Sequence, residues 1–158
     1  MATRAEIRDR MATLMDSELT GVGHTLVKAY GYPVGDFTGS WPLSILGPSG
    51  SGRPAPSNMG RGTTTHRFKL QVFVKYAEVD DQAKLILNAA GTPVWTEEDA
   101  VNALDAYNSE LDAFLQTHRT DAGYWLAVDY GADTEIDIID TDYGAFLRET
   151  YTIALICN

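Results

Sequence analysis

The sequence predicts a single-domain α+β protein with a two-layer arrangement, in which two amphipathic helices cover one face of a largely antiparallel sheet. Three observations predict this fold. Two stretches begin with an acid-rich or capped segment and continue with apolar residues at helical spacing. In several other stretches apolar and polar residues alternate, which is typical of strands. A length of 158 residues is sufficient for one hydrophobic core. We expect residues 1–158 to form one domain, interrupted by a long Gly/Pro-rich arm at about residues 47–65.

The first predicted helix covers Arg4–Glu18. Thr3 and Glu6 fit a capping box, in which the threonine side chain and the glutamate side chain each bond the other residue's amide. Apolar residues then recur at helical spacing, at Ile7, Met11, Leu14 and Met15. One apolar stripe over about four turns predicts a helix packed against a core.

Three strands are predicted before the second helix, at residues 25–30, 41–46 and 66–76. The third is the clearest, because apolar and polar residues alternate and only Phe73 interrupts the polar side. Between the second and third, glycine and proline alternate with serine and threonine over residues 47–65, which predicts a loop or arm. Residues 78–94 are compatible with either a short helical turn or a strand.

The second predicted helix begins after Thr96, where a side-chain cap and three acids favour a helix N-terminus. It runs to about Thr117, and its expected apolar face consists of Val101, Leu104, Tyr107, Leu111, Phe114 and Leu115. Three further strands are predicted at residues 124–130, 134–139 and 145–157. In the last one, alternate residues from Leu147 to Cys157 form an apolar side.

The net charge of −10 is unevenly distributed along the chain. Residues 1–77 hold nine Lys/Arg and five Asp/Glu, whereas residues 78–158 hold three and seventeen. This acidity disfavours tight wrapping of nucleic acid but suits a surface that DNA passes without binding.

The single cysteine, Cys157, excludes an intrachain disulfide. No apolar run approaches the ~20 residues of a membrane helix, and the N-terminus does not resemble a signal peptide, so we expect a cytosolic protein or particle component.

We predict no catalytic, cofactor-binding or metal-binding residue. The glycine-rich segment lacks the Lys-Ser/Thr ending of a phosphate-binding loop, and no Gly-x-Ser-x-Gly motif occurs. His24, His66 and His118 lack the spacing of metal ligands. Carboxylates are abundant, so a small hydrolase or ligand-binding domain with an acidic cleft remains an alternative, although no particular pair stands out.

The order of these elements resembles the tail terminator, or tail completion, family of long-tailed bacteriophages. The resemblance lies in the helix Arg4–Glu18, residues 41–47 (Trp-Pro-Leu-Ser-Ile-Leu-Gly), residues 66–76, the helix after Thr96, residues 124–130 and the closing strand. It implies a non-enzymatic virion protein, assembled in the host cytoplasm, that forms a homohexameric ring at the neck. Such a ring ends tail tube polymerisation, contacts the tail tube protein and the head-tail connector protein, and lets DNA pass without specific binding. A head-tail adaptor or stopper is the nearest alternative.

Under this interpretation the arm is the expected subunit interface, with Ser49, Arg53, Pro54, Pro56, Met59 and Arg61 as its candidate residues. We expect Arg53 and Arg61 to pair with acids on a neighbouring subunit, since an arm that reaches the next copy enlarges a small interface. Asp129, Glu135 and Asp137 are candidates for an acidic lumen or interface. The alternative is that these three are ordinary solvent-exposed acids.

Overall fold

The chain forms a mixed α+β fold with a curled six-stranded sheet and two helices, as seen in a computed structural model. The structure describes residues 2–32, 41–52, 62–77, 80, 82, 84–130, 133–141 and 144–158. The elements in chain order are α1 (Arg4–Glu18), β1 (Lys28–Tyr30), β2 (Leu43–Gly52), β3 (Thr64–Lys75), α2 (Glu97–Thr117), β4 (Ala127–Asp129), β5 (Glu135–Thr141) and β6 (Gly144–Cys157). In the described part of the chain, neither helix is long and apolar enough to cross a membrane.

The sheet is organised around its longest strand, β6. One side of β6 pairs with β3, which in turn pairs with β2, and β1 completes that side of the sheet. The other side of β6 pairs with β5 along its first half and with β4 near its end. The β1–β2 pair is parallel and the remaining pairs are antiparallel, which confirms the largely antiparallel prediction.

Two apolar clusters lie on opposite sides of the sheet. The larger joins both helices to alternate residues of β3 and β6, including Met11, Tyr107, Leu70 and Ile153. The smaller consists of Leu43, Ile45, Phe73 and Phe146. Phe73, which interrupts the polar side of β3 in the sequence, is therefore buried in a cluster of its own on that side.

Both helix starts are confirmed, and α1 has the predicted bounds. Thr3 accepts a hydrogen bond from the Glu6 amide at 3.2 Å, and the Thr3 amide donates to the Glu6 carboxylate at 2.7 Å. Thr96 and Asp99 form the same box at α2. Such caps satisfy amides that the first helical turn leaves without partners, which is why they locate helix starts so well.

The prediction of a loop over residues 47–65 is wrong at both ends. β2 continues to Gly52 and β3 begins at Thr64, so antiparallel strands include the first six and the last two residues of this segment. An irregularity between Pro48 and Gly50 accommodates the Gly/Pro composition, with Gly50 at a φ of +132°. The extra residue of a β-bulge often has a backbone conformation that glycine adopts easily. Glycine within a strand therefore resembles glycine in a loop when only the composition is considered.

Two other predictions need correction. Val101, expected on the buried side of the second helix, is 47% exposed. The strands expected at residues 25–30 and 124–130 contract to the three-residue strands β1 and β4. In the segment that is compatible with a helical turn or a strand, Leu87 forms an antiparallel bridge with Pro93, which agrees with the strand alternative.

Candidate assembly surface

Strand β5 forms an open edge of the sheet. Among the strands that the structure describes, it pairs with β6 alone. It is seven residues long, whereas the opposite edge strand β1 has three. The outer backbone groups of such an edge are a template for pairing with another chain, and proteins commonly shorten or cover their edges for that reason.

Two isoleucines of β5 lie on the helix-facing side of the sheet. Ile136 is opposite Glu149 and Ile138 is opposite Leu147, and both partners are buried on that side. Residues directly opposite in an antiparallel pair share a face, so the isoleucines point the same way. Helix α2 packs over β3 and β6, and Ile136 and Ile138 remain 57% and 54% exposed. The helix layer therefore does not cover β5 fully.

A stripe of α2 residues borders this uncovered area. The Asn108 side-chain amide donates to the Tyr151 hydroxyl at 3.2 Å, and the Tyr130 hydroxyl donates to Asp112 at 2.7 Å. Val101 and Asp105 precede Asn108 at helical spacing and so continue the same stripe. We define the α2–β5 groove as the space between this stripe (Val101, Asp105, Asn108 and Asp112) and Thr134, Ile136 and Ile138. Part of it is a cleft of about 340 Å³ that includes Asn108, Asp112 and Thr134.

The groove combines an apolar β5 side with acidic surroundings. Asp105 and Asp112 lie along its α2 side, and Glu149, which is opposite Ile136 on β6, is buried with 5% exposure. The Thr134 hydroxyl donates to the Glu149 carboxylate at 2.8 Å. Burial raises the pKa of Tyr151, so this phenol stays neutral at the base of the cleft. The groove as defined contains no Lys or Arg.

The three strand acids predicted from sequence share the opposite face of the sheet. Asp129, Glu135 and Asp137 lie opposite Ala154, Thr150 and Arg148 respectively, which are alternate residues of β6. Alternation along one strand places all of them on one side, away from the helices. The structure thus brings these candidates onto a common surface.

That surface carries charges of both signs. Arg148 Nε donates to Asp137 at 2.9 Å, and this hydrogen bond lowers the pKa of Asp137 below its usual range. Arg67 and Lys69 of β3 are exposed on the same side. Asp137 is therefore one half of an ion pair, whereas Asp129 and Glu135 are exposed.

Most of the predicted arm residues lie outside the part of the chain that the structure describes. These are Arg53, Pro54, Pro56, Met59 and Arg61. Ser49 is described, but it is an exposed residue of β2 at the irregularity between Pro48 and Gly50. The ladder that extends to Gly52 shortens the expected arm at its start.

The three histidines hold elements together. His24 contacts Glu110 at 2.9 Å, and His118 at the end of α2 contacts Glu18 of α1 at 2.7 Å. His66 contacts Ser51 at 2.7 Å across the β2–β3 ladder, a pairing that the sequence did not reveal. None of these contacts joins two histidines.

The described residues also form a cleft outside the groove, and their potential metal ligands are dispersed. A second cleft, of about 610 Å³, is lined by residues such as Tyr124, Trp125 and Leu126, and its described walls contain no Asp, Glu or His. Within the same described part of the chain, no group of three or more His, Cys, Asp and Glu side chains could hold a metal ion. The feature that sequence reasoning missed is the α2–β5 groove, since strand alternation does not reveal which side a helix leaves uncovered.

No protein-family model matches the chain, and a comparison with curated proteins finds no relative.

Proposed function

We propose that this chain is a structural subunit that assembles into a ring at the head-proximal end of a phage tail tube, where it ends tube polymerisation and joins the tail to the head connector. The observation that carries the proposal is the open β5 edge with Ile136 and Ile138 half exposed. Apolar side chains clustered on a strand edge mark a surface that another chain covers. The proposed role is structural and requires no catalytic residue.

The element order supports the same role, because it follows the arrangement on which the resemblance to tail terminators rests. In the proposed subunit the two helices form one layer, the sheet forms the other, and residues 53–61 form an arm. Asp129, Glu135 and Asp137 face either the next subunit or the lumen, through which DNA passes without specific binding. The ring would be located at the neck of the virion after assembly in the host cytoplasm.

Two measurements test this proposal. Native mass spectrometry of the purified protein, alone and with tail tubes, should show a closed oligomer of defined size. Electron microscopy of particles assembled without the protein should show overlong tails, because nothing ends tube growth. Leaking heads with tails of normal length would instead indicate a stopper. A folded monomer that never associates with itself or with tail components would contradict the proposal.

A further inference from the structure

The charge of the α2–β5 groove restricts what can fill it. Its β5 side is apolar at Ile136 and Ile138, and its α2 side is acidic at Asp105 and Asp112. The β5 edge itself adds Glu135 and Asp140, so direct pairing of two β5 strands would bring like charges together. The chemistry favours a segment that is apolar and positively charged.

Residues 53–61 have this chemistry. Their sequence is Arg-Pro-Ala-Pro-Ser-Asn-Met-Gly-Arg, with two arginines, no acid, two prolines and one methionine. Methionine adapts to irregular apolar surfaces. The prolines have a restricted φ, which lowers the entropy that such a segment loses when it docks.

The isoleucine end of the groove lies out of reach of this segment within one chain. The strands that flank the segment end at Gly52 and begin at Thr64, level with the last residues of β6, where Thr64 pairs with Cys157. From Cys157 back to Leu147, which is opposite Ile138, β6 spans about 33 Å at ~3.3 Å per residue. Residues at the middle of the segment are about six positions from either anchor and extend at most about 20 Å. Only a second copy can therefore place the segment over Ile138.

We propose that residues 53–61 of one copy dock in the α2–β5 groove of the next copy, with the arginines beside Asp105 and Asp112 and the prolines and methionine over Ile136 and Ile138. This inference rests on the proposed function, because it requires self-assembly. The contact joins different surfaces of the two copies, and heterologous contacts of this kind generate rings when the rotation closes.

Cross-linking between distinguishable copies tests the contact. One chain carries Ser57→Cys and the other, of different mass, carries Ile138→Cys, and the mixed oligomer is treated with a short bis-maleimide. Cys157 is 2% exposed and serves as an internal unreactive thiol. We expect a covalent dimer that contains one chain of each mass. As the matched control, Thr13→Cys on the exposed side of α1 replaces Ile138→Cys and should give no such dimer above the wild-type background.

Charge reversal provides an independent test. Arg53→Glu with Arg61→Glu should weaken self-association about tenfold, because two favourable pairs become repulsive. Asp105→Lys with Asp112→Lys in the same chain should restore it to within about threefold. Arg4→Glu with Arg8→Glu makes the same change in net charge on α1 and should have less than about a twofold effect. Circular dichroism confirms that each variant is folded.

The outcomes separate this inference from the function on which it rests. Normal oligomers that give no cross-link above the control and tolerate the arm reversal would overturn the docking of residues 53–61 but leave ring assembly intact. In a third variant that carries both Ser57→Cys and Ile138→Cys, a cross-link formed within the monomer would also overturn it. Failure of the wild-type protein to associate under any condition would instead remove the proposed function.

Discussion

The two edges of the sheet expose similar amounts of apolar surface but differ in the access they give to the backbone. At the β1 edge, Val27 and Tyr32 are 52% and 61% exposed, close to the values for Ile136 and Ile138. However, Asp16 of α1 accepts a hydrogen bond from the Ala29 amide at 3.1 Å. The same carboxylate accepts from Lys28 Nζ at 2.8 Å. The β1 edge is three residues long and has a partner on α1, whereas β5 pairs only with β6 among the strands that the structure describes.

This difference indicates that exposure alone does not identify an assembly surface. An edge strand becomes a binding site when its backbone is available and its apolar side chains form a continuous patch. At β1 the first condition is not met, because Asp16 already accepts a hydrogen bond from the Ala29 edge amide within the same chain. The comparison predicts that only the β5 edge contributes to self-association.

The largest expected effect comes from removing the apolar character of the β5 edge. Ile136→Asp with Ile138→Asp should weaken self-association about a hundredfold, because burying two half-exposed isoleucines contributes about 3 kcal/mol. The matched control at the other edge, Val27→Asp with Tyr32→Asp, should change it less than about threefold. Sedimentation equilibrium measures both. If the control is as disruptive as the β5 variant, exposure alone determines assembly and the comparison fails.

A smaller effect should follow from removing the cap on the β1 edge. Asp16→Ala leaves the Ala29 amide without its acceptor and Lys28 without its partner, and should lower the free energy of unfolding by about 1–2 kcal/mol. Asp9→Ala removes a carboxylate of the same helix whose one ion-pair partner among the described residues is the adjacent Arg8, so it should change stability by less than about 0.5 kcal/mol. Denaturant titration compares them, and equal losses would show that Asp16 does not protect this edge.

Local chemistry explains why some elements could be predicted and others could not. The bounds of α1 were predictable because Thr3 and Glu6 report the helix start within four residues of sequence. The burial of alternate β3 residues was equally predictable, since alternation records which side faces a core. In contrast, β2 reaches Gly52 because of hydrogen bonds to β3, a partner that the Gly/Pro-rich sequence does not specify.

The candidate site was less predictable than the fold for the same reason. In β5, Ile136 and Ile138 alternate with acidic residues, which places both isoleucines on one side of the strand. Whether a helix covers that side depends on the position of α2. Val101 shows the same limitation for a helix. Helical periodicity identifies the apolar stripe of α2, but it does not indicate which residues of that stripe the sheet buries. In both cases the exposure depends on how α2 packs against the sheet, which the sequence pattern does not specify. Val101 lies on the α2 side of the groove, and Ile136 and Ile138 lie on its β5 side.

The smallest predicted effect concerns how β5 is held to the sheet. Arg148 donates to Asp137, and this bond lowers the pKa of Asp137, so the folded state favours the ionised carboxylate. The resulting stabilisation is complete above the unfolded pKa, near pH 4, and is lost as pH falls through the folded value. Asp137→Asn should therefore lower Tm slightly at pH 7, and the difference from wild type should shrink between pH 5 and pH 3.

A double-mutant cycle isolates this contribution from other acid effects. In an Arg148→Gln background, the Tm change caused by Asp137→Asn should depend much less on pH, because the largest cause of the lowered pKa of Asp137 is absent. An equally pH-dependent difference that persists without Arg148 would mean that another group shifts the titration of Asp137. In that case the ion pair would not help to attach β5 to β6, and the backbone ladder and the apolar contacts of Ile139 would hold β5 in place.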